Sequence, residues 1–229
     1  MKMILFTLIT YIIYRVSKKA YTKWPFPLFH PLIMAPAGLI LLISMVHVSA
    51  NQYLDSSRLL THLLGPATVA FAIPIYKHYS MVKKYIGTIL VSITAGSLAA
   101  IFSSFGLSEL IHLNSDFVIS ILPRSITTPI AIEVSKEIGG LPALTTVFVI
   151  LTGVIGGAFG PLVIKGLSIK APIAKGLALG TAAHGAGTSK ALEYGEQEGT
   201  FSTLAMIFAA WITLGFAFSL IPMLMTSIH

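Results

Sequence analysis

The chain has 229 residues, of which 55% are hydrophobic and 10% charged, with fifteen Lys+Arg against eight Asp+Glu and a net charge of +7. An average soluble domain carries about 25% charged residues, so a water-facing surface is not available here and a water-soluble fold is excluded. No cysteine is present, which removes disulfides, thiolate metal sites and cysteine nucleophiles.

At about 20 residues per membrane-crossing helix, this length accommodates nine crossings with short loops. The fold class is therefore all-α integral membrane, with no extramembrane domain expected. Lys2 and the apolar run 3–14 have the outline of a secretory signal, but the basic cluster Arg15, Lys18 and Lys19 follows with no small-residue cleavage site. The run is read as a short first span, extended by snorkelling side chains.

Clear apolar segments follow at 28–50, 59–76, 85–104, 142–164 and 200–226, and interrupted ones at 106–137 and 174–192. If 106–137 crosses twice, breaking near Pro123 and Arg124, nine crossings result and the loop Lys165–Lys175 is cytoplasmic. With the N-terminus out and the C-terminus in, eleven of the fifteen basic residues then lie in the cytoplasm, as the positive-inside rule asks, and the acids Asp55, Glu109, Asp116, Glu133, Glu137, Glu193, Glu196 and Glu198 lie outside or in outer helix halves.

A shift of 115 residues lays Leu64-Gly65-Pro66-Ala67 on Leu179-Gly180-Thr181-Ala182 and Tyr79 on Tyr194. The matching loops carry opposite charge, as expected of inverted repeats that face opposite sides of a membrane. The prediction is two inverted repeats of four and five helices, 1–105 and 106–229, with two broken helices crossing at the midplane.

Three segments carry chemistry. In 63–74, Pro66 and Pro74 each remove a backbone donor and disfavour the helix before them, freeing carbonyls that must find partners at membrane depth. Gly65, Pro66 and Thr68 are its candidate binding residues; an ordinary proline-kinked packing helix is the plainer reading. The segment 176–190 holds four glycines, three hydroxyl residues, His184 and Lys190 in fifteen positions, a poor helix unless its backbone opens on a polar cavity. Its candidates are Gly180, Thr181, His184, Gly185, Gly187, Thr188 and Lys190, against glycines used for close packing and a structural histidine. Neither a Walker loop nor a dinucleotide fingerprint fits it. In 123–137, Arg124 offers a fixed positive charge for a carboxylate, and Thr127 and Thr128 offer hydroxyls near a helix start. The plainer reading makes Arg124 a cytoplasmic surface anchor and pairs Glu133 with Lys136 on one helical face.

These segments together resemble the LrgB family, also called the CidB/LrgB or antiholin-like family. The resemblance is carried by Leu64 to Ala70, Leu122 to Ala131, Gly139 to Pro142, Gly153 to Pro161 and Gly176 to Thr188, almost end to end. Members often have Lys where this chain has Arg124 and Ser where it has Ala183. The resemblance implies a bacterial inner-membrane protein that acts with a small holin-like partner of the LrgA/CidA type and affects murein hydrolase activity and lysis. It equally implies kinship with the plastid glycolate/glycerate translocator and with proteins linked to pyruvate uptake.

Two functions therefore compete. A secondary transporter of small monocarboxylates would bind the anion between half-helix N-termini, with Arg124, His184 or Lys190 as the cation. An antiholin-like regulator would restrain a pore made by its partner. The transporter accounts better for a compact polar cluster at midplane. A small anionic substrate and the holin-like protein are the expected partners, a homodimer is left open, and nucleic acid, cofactors, metals and enzymatic activity are not expected.

Overall fold

The computed structural model describes residues 2–24, 29–70 and 72–226, and every element among them is helical. The chain divides into two compact units, Met1–Ile73 and Pro74–His229. Three helices are long and apolar enough to cross a membrane, all in the second unit, and a bent pair in the first would make a fourth.

In the first unit, α1 (Lys2–Lys23) packs on α2 (Pro31–Met45), α3 (Ala50–Ser56) and α4 (Arg58–Ala70). The span predicted at 3–14 does not stop at the basic cluster: α1 continues through it, because no Gly or Pro interrupts residues 2–23. Thr10 and the Tyr53 hydroxyl are 2.8 Å apart and Phe6 meets the same ring edge-on, which fixes α1 to α3. The predicted span 28–50 is bent, with α2 and α3 meeting at 116°. Ser49 caps α3 by accepting from Gln52 N, so a new helix starts instead of α2 continuing.

The second unit begins with the end of α5 (Ala72–Lys77) and continues through α6 (Tyr79–Leu110), α7 (Ser115–Ile121), α8 (Thr128–Glu137) and α9 (Pro142–Gly166). It ends with α10 (Pro172–Leu192), α11 (Glu196–Ala217) and α12 (Leu220–Thr226). At 1.5 Å per residue, α6, α9 and α11 are about 48, 38 and 33 Å long, each enough for a hydrocarbon core of about 30 Å. Their shared core includes Ile89, Ile93, Val149, Phe201 and Leu204, all nearly inaccessible. Helix α6 runs unbroken through 105 and 106, so the boundary expected between repeats falls inside a helix.

The two interrupted segments do not cross. Helices α7 and α8 have 7 and 10 residues, about 10 and 15 Å, too short for a membrane. They form a reversal instead, with its tip at residues 122–127. The Ser120 hydroxyl accepts from Leu141 N at 2.8 Å. The Thr145 hydroxyl of α9 reaches both the Ser120 carbonyl (2.9 Å) and the Ser135 hydroxyl (2.7 Å). That buried network draws α7 and the C-terminal half of α8 to the start of α9. The predicted crossings 106–122 and 123–137 are thereby replaced by one hairpin.

Helix α10 also turns back on itself. Ala183 (φ −136, ψ 17) and His184 (φ 39, ψ −122) break it into two legs, and Gly187 on the return leg lies against the Leu179 carbonyl on the outgoing one. The Lys175 ammonium sits 5.1 Å from the centre of the Tyr194 ring, so both ends of the helix emerge together. The crossing predicted for 174–192 is replaced by a second hairpin.

The two hairpins enter from opposite ends of the unit. At one end, the near end, Lys77 pairs with Glu196 at 3.3 Å, joining the approach to α6 to the start of α11 and to both ends of α10. At the far end are the close of α6, the base of the α7–α8 hairpin and α12, whose Ile221 packs with Ile101 and Leu122. A long helix followed by a hairpin thus occurs twice, in opposite directions. The Lys77–Glu196 pair overturns the sequence reading that put the 193–198 acids and the Lys77 loop on opposite sides. The segment 200–226 is also two helices, broken at 218–219, and its end lies at the far end.

Glycines make this packing close. Gly153, Gly156 and Gly160 of α9 face His184, Ala183 and Leu179, and Gly176 and Gly180 of α10 lie against the α11 backbone at Glu198 and Ser202. Adding a methyl group at Gly187 would drive it into the Leu179 carbonyl, whereas the site beside Gly106 is open. Gly187→Ala is expected to destabilise the protein by about 1–3 kcal/mol. Gly106→Ala should be neutral or stabilising by up to about 1 kcal/mol. Reversible denaturant unfolding in mixed micelles checks the pair.

Candidate functional site

Between α6 and the outgoing leg of α10 runs an open groove of about 700 Å³. On α6 it is lined by Tyr85, Thr88, Ser92, Gly96 and Ala100, and on α10 by Ile173, Ala174, Leu177, Ala178, Thr181 and Ala182. Both helices start at the near end, and Gly96 is met by the Thr181 methyl, which sets their parallel register. From Tyr85 to Ala100 the α6 wall is about 22 Å long.

Arg124 and Ser125, at the tip of the α7–α8 hairpin, form the deep end of the groove. Proline at 123 and the extended Thr127 keep this tip out of helical geometry. The Arg124 Nε–H donates to the Ser104 hydroxyl at 2.7 Å, and that hydroxyl donates to the Ala100 carbonyl at 2.7 Å. Ser104 lies six residues before the end of α6, placing the guanidinium about 9 Å from the far end. Among the described residues no carboxylate lies within ion-pair distance of it. The cytoplasmic surface anchor considered from sequence is therefore replaced by a half-buried cation held inside the unit. Around the tip, Leu122 packs with Ile101 of α6 and Ile221 of α12, and Ile126 joins the core around Ile89 and Phe201.

The other candidates separate. Thr181 lines the groove with Arg124. His184 faces α9 instead: its Nε2–H donates to the Val149 carbonyl at 3.0 Å, and its ring fills the space beside Gly153. Thr188 donates to the His184 carbonyl at 2.9 Å and lies 3.0 Å from the Ser202 hydroxyl, securing the hairpin to α11. Gly180 and Gly187 are packing glycines, and Gly185 is near only Met206. Lys190 is paired with Glu193 at 2.7 Å near the base of the hairpin, not at mid-depth. Thr127 and Thr128 begin α8 outside the groove lining.

Gly65, Pro66 and Thr68 lie on α4, in the first unit, while the 178–190 segment lies in the second. Pro66 is exposed within α4; the side chains at 65 and 68, like residue 71 in the predicted interruption, lie outside the described residues. The predicted crossing of the two broken segments concerns separate units.

Residues 88, 92, 96, 100 and 104 of α6 were not singled out from sequence. They are Thr, Ser, Gly, Ala and Ser at a strict spacing of four, which puts small or hydroxyl-bearing side chains along one face of the helix. That periodicity was the available signal.

The LrgB-like family model matches residues 10–223. An uncharacterized Bacillus subtilis protein, YwbG, is 46% identical over 206 residues, covering 90% of this chain and 92% of its own length. Holin-like protein CidB of Staphylococcus epidermidis is 35% identical, and that of Staphylococcus aureus 33%, each over 92% of both chains. No solved structure matches.

A double-mutant cycle checks the Arg124–Ser104 contact. Ser104→Ala and Arg124→Gln should each destabilise, and together cost less than their sum by about 1.5 kcal/mol or more, the range of a hydrogen bond to a charged group. Additive losses in denaturant unfolding would mean the two side chains are not coupled.

Proposed function

Because this chain belongs to the LrgB-like family, we propose that it is an antiholin-like membrane protein that acts with a small holin-like partner of the LrgA/CidA type and bears on murein hydrolase activity and lysis. The observation that carries this is the pair of holin-like relatives aligned over nine-tenths of both chains. The test is expression in a bacterial host deleted for its own LrgB-like and LrgA-like genes, with and without the partner. Partner-dependent change in lysis timing supports the reading; unchanged lysis with the protein verified in the membrane overturns it.

A second reading, secondary transport of a small monocarboxylate of the pyruvate, glycolate or glycerate type, is favoured by one specific observation. Two hairpins enter from opposite ends, and a groove accessible along one side stops at a cation without a carboxylate partner among the described residues. Broken elements meeting inside a bundle are a recurrent transporter arrangement. Here Arg124 binds the carboxylate and Thr181 contributes a hydroxyl. Uptake of labelled pyruvate and glycolate into proteoliposomes of this chain alone tests it, with Arg124→Gln expected to lower uptake at least tenfold. No uptake above empty vesicles would remove it.

Both readings place the near end in the bacterial cytoplasm. It carries seven lysines and three glutamates, against one lysine and four acids toward the far end. With α11 starting there, its end at Ala217 lies outside, whereas the sequence reading put the C-terminus inside. The chain has no native thiols, so single cysteines introduced at Ser168 and Ser219, both exposed, should label from the inside and the outside respectively. Labelling of both from one side would refute the arrangement.

A further inference from the structure

The groove is much longer than a three-carbon acid. A carboxylate seated on Arg124 occupies its deep end only, leaving most of the about 22 Å back to Tyr85 unfilled. The remaining wall is mainly apolar and built from small side chains. On α10 Ala174, Ala178 and Ala182 are spaced by four with Leu177 beside them, and they run along Thr88, Ser92, Gly96 and Ala100 of α6. Ala174 and Ala178 are exposed, so their small size holds space open and serves no helix contact. The groove thus offers one cation at its deep end and a narrow apolar trough leading away from it.

We infer that this groove binds an amphiphilic monoanion, a medium-chain alkyl carboxylate, with its head on Arg124 and its tail along the small-residue trough toward the near end. The inference rests on the second reading, an anion at Arg124, and extends its substrate class. Charge selects the head, because a carboxylate taken out of water needs a paired cation, and Ser125 lines the same end of the groove as Arg124. Length selects the tail: each methylene laid on the trough removes apolar surface from water, so affinity rises with chain length until the tail passes Tyr85.

The probe is decanoate carrying a terminal diazirine, photolysed with the full chain in lipid nanodiscs, with labelled peptides located by mass spectrometry. Labelling should fall on α6 between Ser92 and Ala100 and on α10 between Leu177 and Ala182. Unlabelled carboxylates from butyrate to decanoate should compete with potency rising about twofold per methylene, as for a half-buried chain, while decanol competes at least tenfold less well. Arg124→Gln should lose labelling at least tenfold. Ala178→Phe, a change at an exposed position, should block the tail and leave the melting temperature unchanged. If pyruvate competes as well as decanoate, the anion site stands and the tail trough is overturned. If decanol competes as well as decanoate, Arg124 is not the anchor and both fall. Labelling scattered over lipid-facing helices with no effect of either variant overturns the proposal outright.

Discussion

The second unit depends on one constraint: a backbone that reverses inside an apolar medium must bury its polar groups against close partners. In α10 that constraint is met at Ala183 and His184. His184 takes a positive φ, an arrangement that side-chain-bearing residues rarely adopt and that costs on the order of 1–3 kcal/mol. Three things hold it. Its ring is tied to the Val149 carbonyl, its own carbonyl accepts from Thr188, and glycines on α9 and on α10 itself let the two legs approach each other and α11 closely. Remove the glycines and the reversal has no seat. Without the reversal, α11 no longer starts beside α6, and the groove has no second wall.

This explains which parts of the fold could be read from the sequence. Long apolar helices at 85–104 and 142–164 were legible because nothing competes with a continuous apolar run, and α6 and α9 enclose both ranges. The unusual character of 123–137 and 174–192 was also visible, from Pro, Gly, Thr and charge. What composition did not convey was direction. A segment of about 20 residues with a poor helical centre satisfies a length rule for crossing equally well whether it crosses or turns back. The decision is made by contacts far away in sequence, Thr145 to Ser120 and Ser135 in one hairpin, Gly187 to Leu179 and Thr188 to Ser202 in the other.

The same gap accounts for the candidate site. Residue types suggested that His184, Lys190 and Arg124 were comparable cations, yet their neighbours separate them completely. Lys190 meets Glu193 three residues on, a pair readable from spacing alone once the helix is granted. His184 is used by the reversal. Arg124 alone keeps a charge facing open space, because the hairpin tip that carries it has no acid and α6 opposite offers only a serine. The charge-sidedness argument failed at Glu196 for a related reason. It assumed that each apolar segment switches sides; the two crossings read into the α7–α8 hairpin cancel, and the one read into the α10 hairpin does not.

The α7–α8 tip, which carries Arg124 to the groove, is held by apolar packing as well as by hydrogen bonds. At that tip Leu122 packs with Ile101 and Ile221, and Ile126 with the core around Ile89 and Phe201. A change at the deep end of the groove therefore involves the α7–α8 tip. Its movement is restrained from one side by the Ser120–Thr145–Ser135 network and from the other by the Arg124–Ser104 hydrogen bond. An anion on the guanidinium competes for that arginine directly, so occupancy of the groove and the position of the tip are energetically linked. Under the transport reading that linkage is the opening step. Under the antiholin-like reading it gives the far face, where the tip, Ile101 and α12 meet, two arrangements that a ligand can choose between.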